Sequence, residues 1–304
     1  MKLSKNKIIT KLKKVDHLKI KKNVALSNYT TFKVGGPAEI FLVPESLKAL
    51  QKTVEQIPKK TPFLVLGKGS NIIFSDRGYP GIIIHTEQLN NYEINKQQIT
   101  AQAGITLSEL AQKALDNSLG GLEFAAGIPG TLGGALYMNA GAYGKAIKNI
   151  ISRARLINHR GETTVYTKEK LKLSYRSSLL QEKELIAATI TLNLAKGQKK
   201  DIKAKIKKLN KKRREKQPLD YPSAGSVFMR PPDDYAGRLI EEAGLKGRQI
   251  GGARVSRKHA GFIINCGQAT AQDIKDLVKE VQKEVYSFSK VKLKPEPRFI
   301  GHFD

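Results

Sequence analysis

The sequence predicts a protein of the α+β class that folds as two domains. Its 304 residues are about twice the length of an average domain, and 40% of them are hydrophobic, which suffices for two cores. Strand-like apolar runs and amphipathic helical patterns both occur along the chain. A strongly basic segment, residues 196–216, separates a longer first part from a shorter last part, and we place the domain boundary there.

Local patterns predict the elements of each part. Ser46 and Thr106 are placed to cap helices, and a further helix begins after Thr270. Helices are also expected in a lead-in at residues 1–27, in the basic segment, and at 233–243. Strands are expected at 38–43, 62–66, 72–74, 81–86, 99–103, 185–194, 260–265 and in the tail 291–300, with a hairpin formed by 153–158 and 162–166.

The composition excludes several classes of protein. A single cysteine, Cys266, leaves no internal disulfide and no cysteine-cluster metal site, and we expect it to be a small buried hydrophobic residue. No apolar run approaches the ~18 residues of a membrane span, and charges interrupt the first residues, so no secretory signal is predicted. The sequence predicts a cytoplasmic protein with no metal site and no membrane partner.

The formal net charge of +27 is concentrated in two segments. Residues 1–22 and 196–216 together hold 21 Lys and Arg against three acids, which is +18 of the total. One interpretation is a nucleic-acid partner, because stripes of cations attract phosphate backbones. The other is a pair of solvated helices in a protein that handles small anions. We favour this second interpretation, because no recognition motif or aromatic platform accompanies the charge.

The stretch 121–144, GLEFAAGIPGTLGGALYMNAGAYG, holds seven glycines and no lysine or arginine. A flexible linker would be polar and repetitive, whereas apolar residues such as Phe124 and Leu132 are interleaved here. Two interpretations remain, a tightly packed structural turn and a backbone that lies close against a flat or phosphorylated ligand. Glycine content by itself does not decide between them.

A second segment with glycines, Gly67-Lys68-Gly69-Ser70-Asn71, joins two predicted strands. A dinucleotide fingerprint needs a helix after its glycines and a P-loop needs a longer glycine spacing, so neither motif is present. Successive N–H groups in such a turn can form an anion-binding nest, with Lys68 adding charge. A plain tight turn is the equal alternative.

The chain resembles one family through seven segments, each of which is a weak signal alone. They are YTTFKVGGPA, VLGKGSNIIFSD, GIPGTLGGALYMNAGAYG, SYRSS, AGSVF, RVSRKHAGFIIN and KPEPR. In this order, and over nearly the whole chain, they are similar to the UDP-N-acetylenolpyruvoylglucosamine reductases of peptidoglycan synthesis. The short distance from Arg176 to Ser226 resembles the shorter subclass, which lacks an inserted segment whose tyrosine closes over the substrate.

The resemblance implies a fold and a set of ligands. An FAD-binding module of the vanillyl-alcohol-oxidase type, with two α/β subdomains, is expected over residues 28–196. The basic connecting helix 197–216 and a C-terminal α+β substrate-binding domain, 217–304, would follow. The implied ligands are FAD, NADPH as electron donor, and UDP-N-acetylglucosamine enolpyruvate. We expect FAD to be non-covalent, because the motifs offer no obvious His or Cys anchor.

The cofactor residues implied by the resemblance belong to the two glycine-rich motifs. Bulky side chains there would hold the backbone away from the cofactor, and phosphate is expected to be bound by N–H groups. These residues are Gly67, Lys68, Gly69, Ser70, Asn71, Gly127, Ile128, Pro129, Gly130, Thr131, Gly133 and Gly134.

The implied reaction reduces an enol-ether double bond conjugated to a carboxylate. Hydride goes to one carbon and a proton to the other, so a proton donor and stabilisation of the substrate carboxylate are required. The resemblance assigns Ser226 as the proton donor and Arg176 with Glu296 as the polarising pair. Without the resemblance, the residues are also compatible with other roles: Ser226 as a turn residue, Arg176 as a surface arginine, and Glu296 in an ion pair with Arg298. Because a glutamate repels a carboxylate, we expect Glu296 to act as a neutral acid or through bound water.

Four further residues are predicted to contact the substrate, and for Tyr143 a buried packing role is the alternative. They are Tyr143, Tyr175, Arg230 and Asn265. Arg230 is expected to meet the UDP phosphates, although many family members carry Lys-Asn-Pro where this chain has Met-Arg-Pro. His259 lies in a matching segment, and we interpret it as a satisfied core histidine.

Two other functions stay open at this point. A flavin-dependent oxidase of the same superfamily would share the fold but consume oxygen with an alcohol substrate. A basic nucleic-acid-binding protein would bind a duplex through residues 196–216 in a salt-dependent manner.

Overall fold

The computed structural model describes residues 5–304, and eight α-helices lie within them. Two of the helices follow Ser46 and Thr106, the residues predicted to cap them, and a third follows Thr270, where a helix was expected to begin. The helices are Lys5–Leu12 (α1), Leu47–Gln56 (α2), Leu107–Asp116 (α3), Leu132–Tyr137 (α4), Leu179–Lys183 (α5), Lys199–Lys216 (α6), Ala236–Glu242 (α7) and Ala271–Ser289 (α8).

The strands of the described chain are mostly short. They are Leu18–Ala25 (β1), Pro37–Pro44 (β2), Phe63–Leu66 (β3), Ile72–Phe74 (β4), Tyr79–His85 (β5), Tyr92–Asn95 (β6), Gln98–Gln102 (β7), Leu119–Gly120 (β8), Gly141–Ala142 (β9), Lys145–Ala146 (β10), Ile151–Ile157 (β11), Thr163–Thr167 (β12), Ile186–Asn193 (β13), Ala195–Lys196 (β14), Gln249–Ile250 (β15), Ala253–Val255 (β16), Ile263–Asn265 (β17) and Arg298–Ile300 (β18).

The chain forms two compact units, and it passes between them several times. The last passage falls inside α6, after Lys211. Unit 1 holds the described chain up to Lys21 together with Ile40–Lys68 and Gly81–Lys211, and unit 2 holds Lys22–Glu39, Gly69–Pro80 and Lys212–Asp304.

Unit 1 contains two hydrophobic cores. One lies beside a five-stranded antiparallel sheet of order β12-β11-β13-β7-β6, and it includes buried residues of α3 and α4. The central strand β13 is buried at six of its eight positions and half-buried at a seventh. The second core includes Leu12 of α1 and Leu50 of α2, with residues of β2 and β5.

Unit 2 is built around α8 and a three-stranded antiparallel sheet of order β15-β16-β17. Thr270 accepts a hydrogen bond from Asp273 N and forms a capping box with that residue. One face of α8 supplies Ile274, Leu277 and Val281 to the core, as its helical spacing predicts. Beside this core, β4 and β18 pair in parallel.

The N-terminal lead-in was predicted to be helical through residue 27, and this is wrong for its second half. Residues 1–4 lie outside the described chain, α1 ends at Leu12, and Leu18–Ala25 is a strand. Leu18 and Ile20 alternate with exposed lysines, so the segment has the period of a strand. The high lysine content concealed that alternation.

Three further predictions are corrected by the structure. The helix expected from 233 begins at Ala236, because Asp233 has φ +57° and cannot continue a helix. The tail is a strand only at Arg298–Ile300, after two prolines that cannot donate to a ladder. Cys266 is exposed rather than buried. The short helix α4 was not predicted, since its glycines have low helix propensity.

Within residues 5–304, no helix combines the length and the apolar character that crossing a bilayer requires.

Candidate active site

The turn after β3 brings the two glycine-rich motifs into contact within unit 1. A methyl group added at Gly67 would lie 2.3 Å from Oγ1 of Thr131, so any side chain there would displace Thr131. The same Oγ1 accepts a hydrogen bond from Gly134 N at 3.3 Å and caps α4. Residues predicted from separate segments to bind one cofactor are therefore neighbours.

Residues 69–71 of the first motif lie in unit 2. The backbone around Gly69 explains why this position is a glycine. Gly69 has φ +62°, and a methyl group added there would lie 2.1 Å from the carbonyl oxygen of Tyr29. Asn71 donates from Nδ2 to the carbonyl of Glu296 at 3.3 Å. The left-handed backbone conformation and the nearby carbonyl of Tyr29 therefore require glycine at position 69. Asn71 joins the turn to the segment that contains Glu296.

The second motif differs from expectation in how its N–H groups are used. Leu132 N donates to Ile105 O at 2.9 Å and Gly133 N donates to Ala103 O at 2.8 Å. With Gly134 N bonded to Thr131, three successive N–H groups have acceptors inside the fold. Phosphate binding through these three N–H groups is therefore not supported, and close approach of the main chain is the remaining contribution.

The two adjacent glycines of α4 have different surroundings. A methyl group added at Gly133 would lie 2.8 Å from Cβ of Ala103 and 3.0 Å from its carbonyl oxygen. A methyl group added at Gly134 would meet nothing closer than Oγ1 of Thr131, at 3.5 Å. Gly133 is required by internal packing, whereas Gly134 leaves an exposed surface bare.

Arg176 lies on a tight turn of unit 1 that is fastened to the end of α4. Ser174 and Ser177 exchange main-chain hydrogen bonds of 3.2 and 3.3 Å, and Arg176 has φ +55°. Gln181 donates from Nε2 both to the carbonyl of Arg176, at 3.0 Å, and to that of Tyr137, at 2.7 Å. The structure therefore ties the predicted arginine to the glycine-rich stretch.

The side chain of Arg176 is half-buried, and its guanidinium lies 5.3 Å from the ring centre of Tyr175. This is the range of a cation–π contact. Tyr175 itself is 53% exposed. The pair presents a planar cation and an aromatic ring on one turn, which suits a planar anionic ligand.

Tyr143 lies beside a cavity of about 250 Å³ in unit 1. Its hydroxyl donates to the carbonyl of Leu209 in α6 at 3.0 Å. The cavity is also lined by Glu123, Lys145 and Lys205, and Nζ of Lys205 lies 3.6 Å from Oε1 of the buried Glu123. The predicted substrate residue Tyr143 thus contacts the basic helix.

Ser226 is held between two segments of unit 2. It forms an antiparallel bridge with Phe262, and its Oγ donates to the carbonyl of Phe228 at 3.3 Å. On the other side, Glu296 N donates to the carbonyl of Val227 at 2.8 Å. The main chain of Glu296 is therefore bonded to that of the residue after Ser226, so the segments of two of the three predicted catalytic residues are neighbours.

His259 lies near Ser226, the predicted proton donor, which its position in the sequence did not indicate. A methyl group built on Gly261 would lie 3.1 Å from Cε1 of His259 and 3.5 Å from Oγ of Ser226, so the two side chains share one neighbourhood. The imidazole Nδ1 accepts from Gly261 N at 3.1 Å, and burial lowers its pKa. The sequence signal for this position is the RVSRKHAGFIIN segment, which by itself also fits a satisfied core histidine.

The two remaining predicted substrate residues are engaged within unit 2. Arg230 donates from Nε to the carbonyl of Asp234 at 3.1 Å, and its guanidinium lies 4.1 Å from the ring centre of Tyr235. A hydrogen bond from Arg238 lowers the pKa of Asp234 to about 2. Asn265 is buried, and its Oδ1 accepts from the N–H groups at 267 and 269. A substrate contact by either residue stays a prediction.

One buried titratable group lies behind the first motif in unit 1. His85 is 5% exposed and pairs along the β3–β5 ladder with Leu66, the residue before Gly67. Burial lowers its pKa, although Glu87, with Oε1 3.4 Å from Nδ1, acts in the opposite direction. Over the described residues, no group of three His, Cys, Asp or Glu side chains is arranged to hold a metal.

Comparison with known families finds two matching models. Residues 38–167 match an FAD binding domain, and residues 217–300 match the C-terminal domain of UDP-N-acetylenolpyruvoylglucosamine reductase. A protein named UDP-N-acetylenolpyruvoylglucosamine reductase from Caldanaerobacter subterraneus is 44% identical, over 97% of this chain and 98% of the relative. One of the same name from Listeria monocytogenes is 46% identical, over 94% and 96%.

A solved structure is similar as well. The crystal structure of the UDP-N-acetylenolpyruvylglucosamine reductase from Thermus caldophilus matches with a TM-score of 0.82 and 34% identity, covering 93% of this chain and 100% of that chain. Together with the FAD-binding model, this match confirms the predicted fold class of an α+β chain with an FAD-binding module and a C-terminal domain.

Proposed function

Because the chain belongs to the UDP-N-acetylenolpyruvoylglucosamine reductase family, we propose that it reduces UDP-N-acetylglucosamine enolpyruvate to UDP-N-acetylmuramate. In this proposal FAD is the cofactor, NADPH is the electron donor, and the product serves peptidoglycan synthesis in the cytoplasm. The observation that carries the proposal is the hydrogen bond from Glu296 N to Val227 O, at 2.8 Å. It joins the main chain at Glu296 to the residue that follows Ser226, so the two proposed catalytic segments are neighbours.

The glycine-rich residues of unit 1 fit a flat cofactor. Gly67 and Gly133 have no room for a side chain on the protein side, and Gly134 leaves bare main chain on an exposed side. The bare main chain at Gly134 lets a flat ring approach the backbone closely. FAD, when bound there, supplies the hydride for the reaction.

Arg176 is proposed to bind the carboxylate of the enolpyruvyl group. Its planar fork can donate two parallel hydrogen bonds, which orient the carboxylate and stabilise the negative charge that builds on it. The turn is held by Gln181 and by Asn139, whose Nδ2 donates to the carbonyl of Ser174 at 2.7 Å. A guanidinium whose turn is fixed in this way needs little reorganisation during the reaction.

Ser226 is proposed to protonate the α-carbon. Hydride adds to the terminal carbon of the double bond, and the electron pair of that bond moves toward the α-carbon and the carboxylate. The α-carbon then takes the proton of the seryl hydroxyl, and the seryl oxygen regains a proton from water. A hydroxyl is a weak acid, but an enolate-like centre is basic enough to accept its proton when the geometry is right.

Glu296 is proposed to assist at the same carboxylate as a neutral acid or through a bound water. An ionised glutamate would repel the substrate carboxylate, whereas a protonated one donates a hydrogen bond. The segment around Glu296 is fixed from two sides, by Asn71 at its carbonyl and by Val227 at its N–H.

The test follows the flavin through its two half-reactions. The purified protein should show a flavin absorption spectrum, and mild unfolding should release intact FAD. Under anaerobic conditions NADPH should bleach the flavin, and UDP-N-acetylglucosamine enolpyruvate should restore the colour with formation of UDP-N-acetylmuramate. A colourless protein that FAD cannot reconstitute would overturn the proposal. Oxygen consumption with an alcohol, without reoxidation by the enolpyruvyl substrate, would replace it with an oxidase.

A further inference from the structure

The helix α6 carries its charge in an ordered pattern. At 100° per residue, Lys200, Lys203, Lys207 and Lys211 fall within an arc of about 80°. All four are exposed, and no acidic residue interrupts the run between Lys203 and Lys211. We call these four residues the lysine ridge. Its regular spacing makes a linear array of positive charge along one side of the helix.

The opposite side of α6 faces the fold of unit 1. Ile202 is buried, and Ile206 and Leu209 are half-buried. The ridge therefore lies on the solvent side of a helix whose inner side is fixed by apolar contacts.

The inner side of the helix forms part of the cavity wall described above. Leu209 and Lys205 line the cavity together with Tyr143, and the Tyr143 hydroxyl donates to the Leu209 carbonyl. Lys205 also approaches the buried Glu123, at 3.6 Å. The helix that carries the ridge is thus the helix that contacts a predicted substrate residue.

Charges near the cavity add to those of the ridge. Lys145 and Lys205 line the cavity against one carboxylate, Glu123, which leaves it with a positive surplus. Both proposed ligands are anions, since UDP-N-acetylglucosamine enolpyruvate carries a diphosphate and a carboxylate, and NADPH carries three phosphates. A cluster of one sign raises the local concentration of the opposite sign and the rate of encounter.

We propose that the lysine ridge captures the phosphorylated ligands of the enzyme electrostatically and speeds their association with it. The ridge does not contact the reacting atoms, so it affects capture and not chemistry. This inference rests on the proposed function for the identity of the ligands. A purely solvated helix is the competing account, and it predicts no kinetic effect.

The test uses the holoenzyme with all four ridge lysines replaced, Lys200→Gln, Lys203→Gln, Lys207→Gln and Lys211→Gln. The association rates of UDP-N-acetylglucosamine enolpyruvate and of NADPH are measured separately by stopped-flow flavin absorbance. At about 20 mM salt both rates should fall roughly tenfold, and the difference from the parent enzyme should shrink at about 300 mM salt. Flavin content and kcat should not change.

A matched control removes the same total charge elsewhere. Lys13→Gln, Lys59→Gln, Lys168→Gln and Lys170→Gln replace four exposed lysines outside α6. At low salt, this control variant should bind both ligands at most of the rate of the parent enzyme. Equal losses in the two variants would show that only net charge matters, and unchanged rates in the ridge variant would show a solvated helix. Either result overturns the proposal.

The two ligands separate a failure of this inference from a failure of the proposed function. If the enolpyruvyl compound does not reoxidise the flavin, the proposed function fails, but reduction by NADPH still reports capture of a phosphorylated anion. If both ligands react and the ridge variant shows no salt-dependent loss, only the ridge is refuted.

Discussion

The predicted catalytic residues of unit 2 differ from the glycine-rich residues of unit 1 in which part of the chain they offer to a ligand. In unit 1 the glycine-rich residues offer main chain, with Gly67 against Thr131 and Gly133 against Ala103. In unit 2 the predicted catalytic contributions are side chains, Ser226 and Glu296, whose segments are held by main-chain hydrogen bonds. The comparison teaches that cofactor binding and proton transfer should respond to different substitutions.

Arg176 is the exception that limits the comparison. It is a side chain of unit 1 with a proposed role in the chemistry, and its turn is fastened to α4 by Gln181. Its substitution is therefore tested for effects on both flavin binding and reaction with the substrate. The four experiments below separate main-chain from side-chain contributions, from the largest expected effect to the smallest.

The largest effect is expected for Ser226→Ala, which removes the proposed proton donor. Loss of a positioned acid costs about 10²–10⁴-fold in the step it serves. Bleaching of the flavin by NADPH should stay nearly intact, while reoxidation by the enolpyruvyl substrate should slow by about three orders of magnitude. Stopped-flow absorbance measures both half-reactions, and an equal loss in both would refute the assigned role.

Arg176→Lys is expected to lower the reoxidation rate by about 10²-fold, because a point charge cannot replace the planar fork. The flavin should stay bound, as judged by its absorbance after gel filtration. Arg160→Lys, at an exposed position of the same unit, serves as the control and should behave like the parent. Full activity of Arg176→Lys would mean that the bidentate contact is absent.

Gly133→Ala and Gly134→Ala test which glycine serves the fold and which leaves room for the cofactor. The first forces a methyl group to 2.8 Å from Cβ of Ala103 and should destabilise the apoprotein by about 1–3 kcal/mol. The second has space and should be neutral or slightly stabilising in a helix. We expect it nevertheless to weaken FAD binding. Urea unfolding and FAD titration check the pair, and unchanged FAD affinity in Gly134→Ala would remove that surface from the site.

The smallest effect concerns pH and involves one histidine in each unit. Burial lowers the pKa of both His85 and His259 below the ordinary value of 6.5. Each imidazole therefore binds fewer protons in the folded protein than in the unfolded chain. The resulting stability is fully present above about pH 6.5, and the free energy of unfolding falls as the pH drops below that value. Urea unfolding at a series of pH values should show this slope. His85→Gln and His259→Gln should each flatten it, and a slope unchanged in both variants would assign it to carboxylates.

Several elements follow from short stretches of sequence because their causes are local. Ser46 and Thr106 cap helices where predicted, since capping depends on residues three positions apart. The hairpin of β11 and β12 likewise follows from alternation on either side of a turn. By contrast, α4 was missed although Thr131 precedes it, because burial of its apolar residues outweighs the low propensity of two glycines.

The sequence by itself determined the fold class, the family and the residue types that the chemistry needs, because these are carried by motifs of a few residues in a fixed order. Only the tertiary structure decided which glycine is crowded and which is open, and that His259 lies beside Ser226. It also decided that Asn71 is bonded to Glu296, 225 positions away in the chain. Such contacts arise when distant segments pack together, and no local pattern of residues encodes the distance between them.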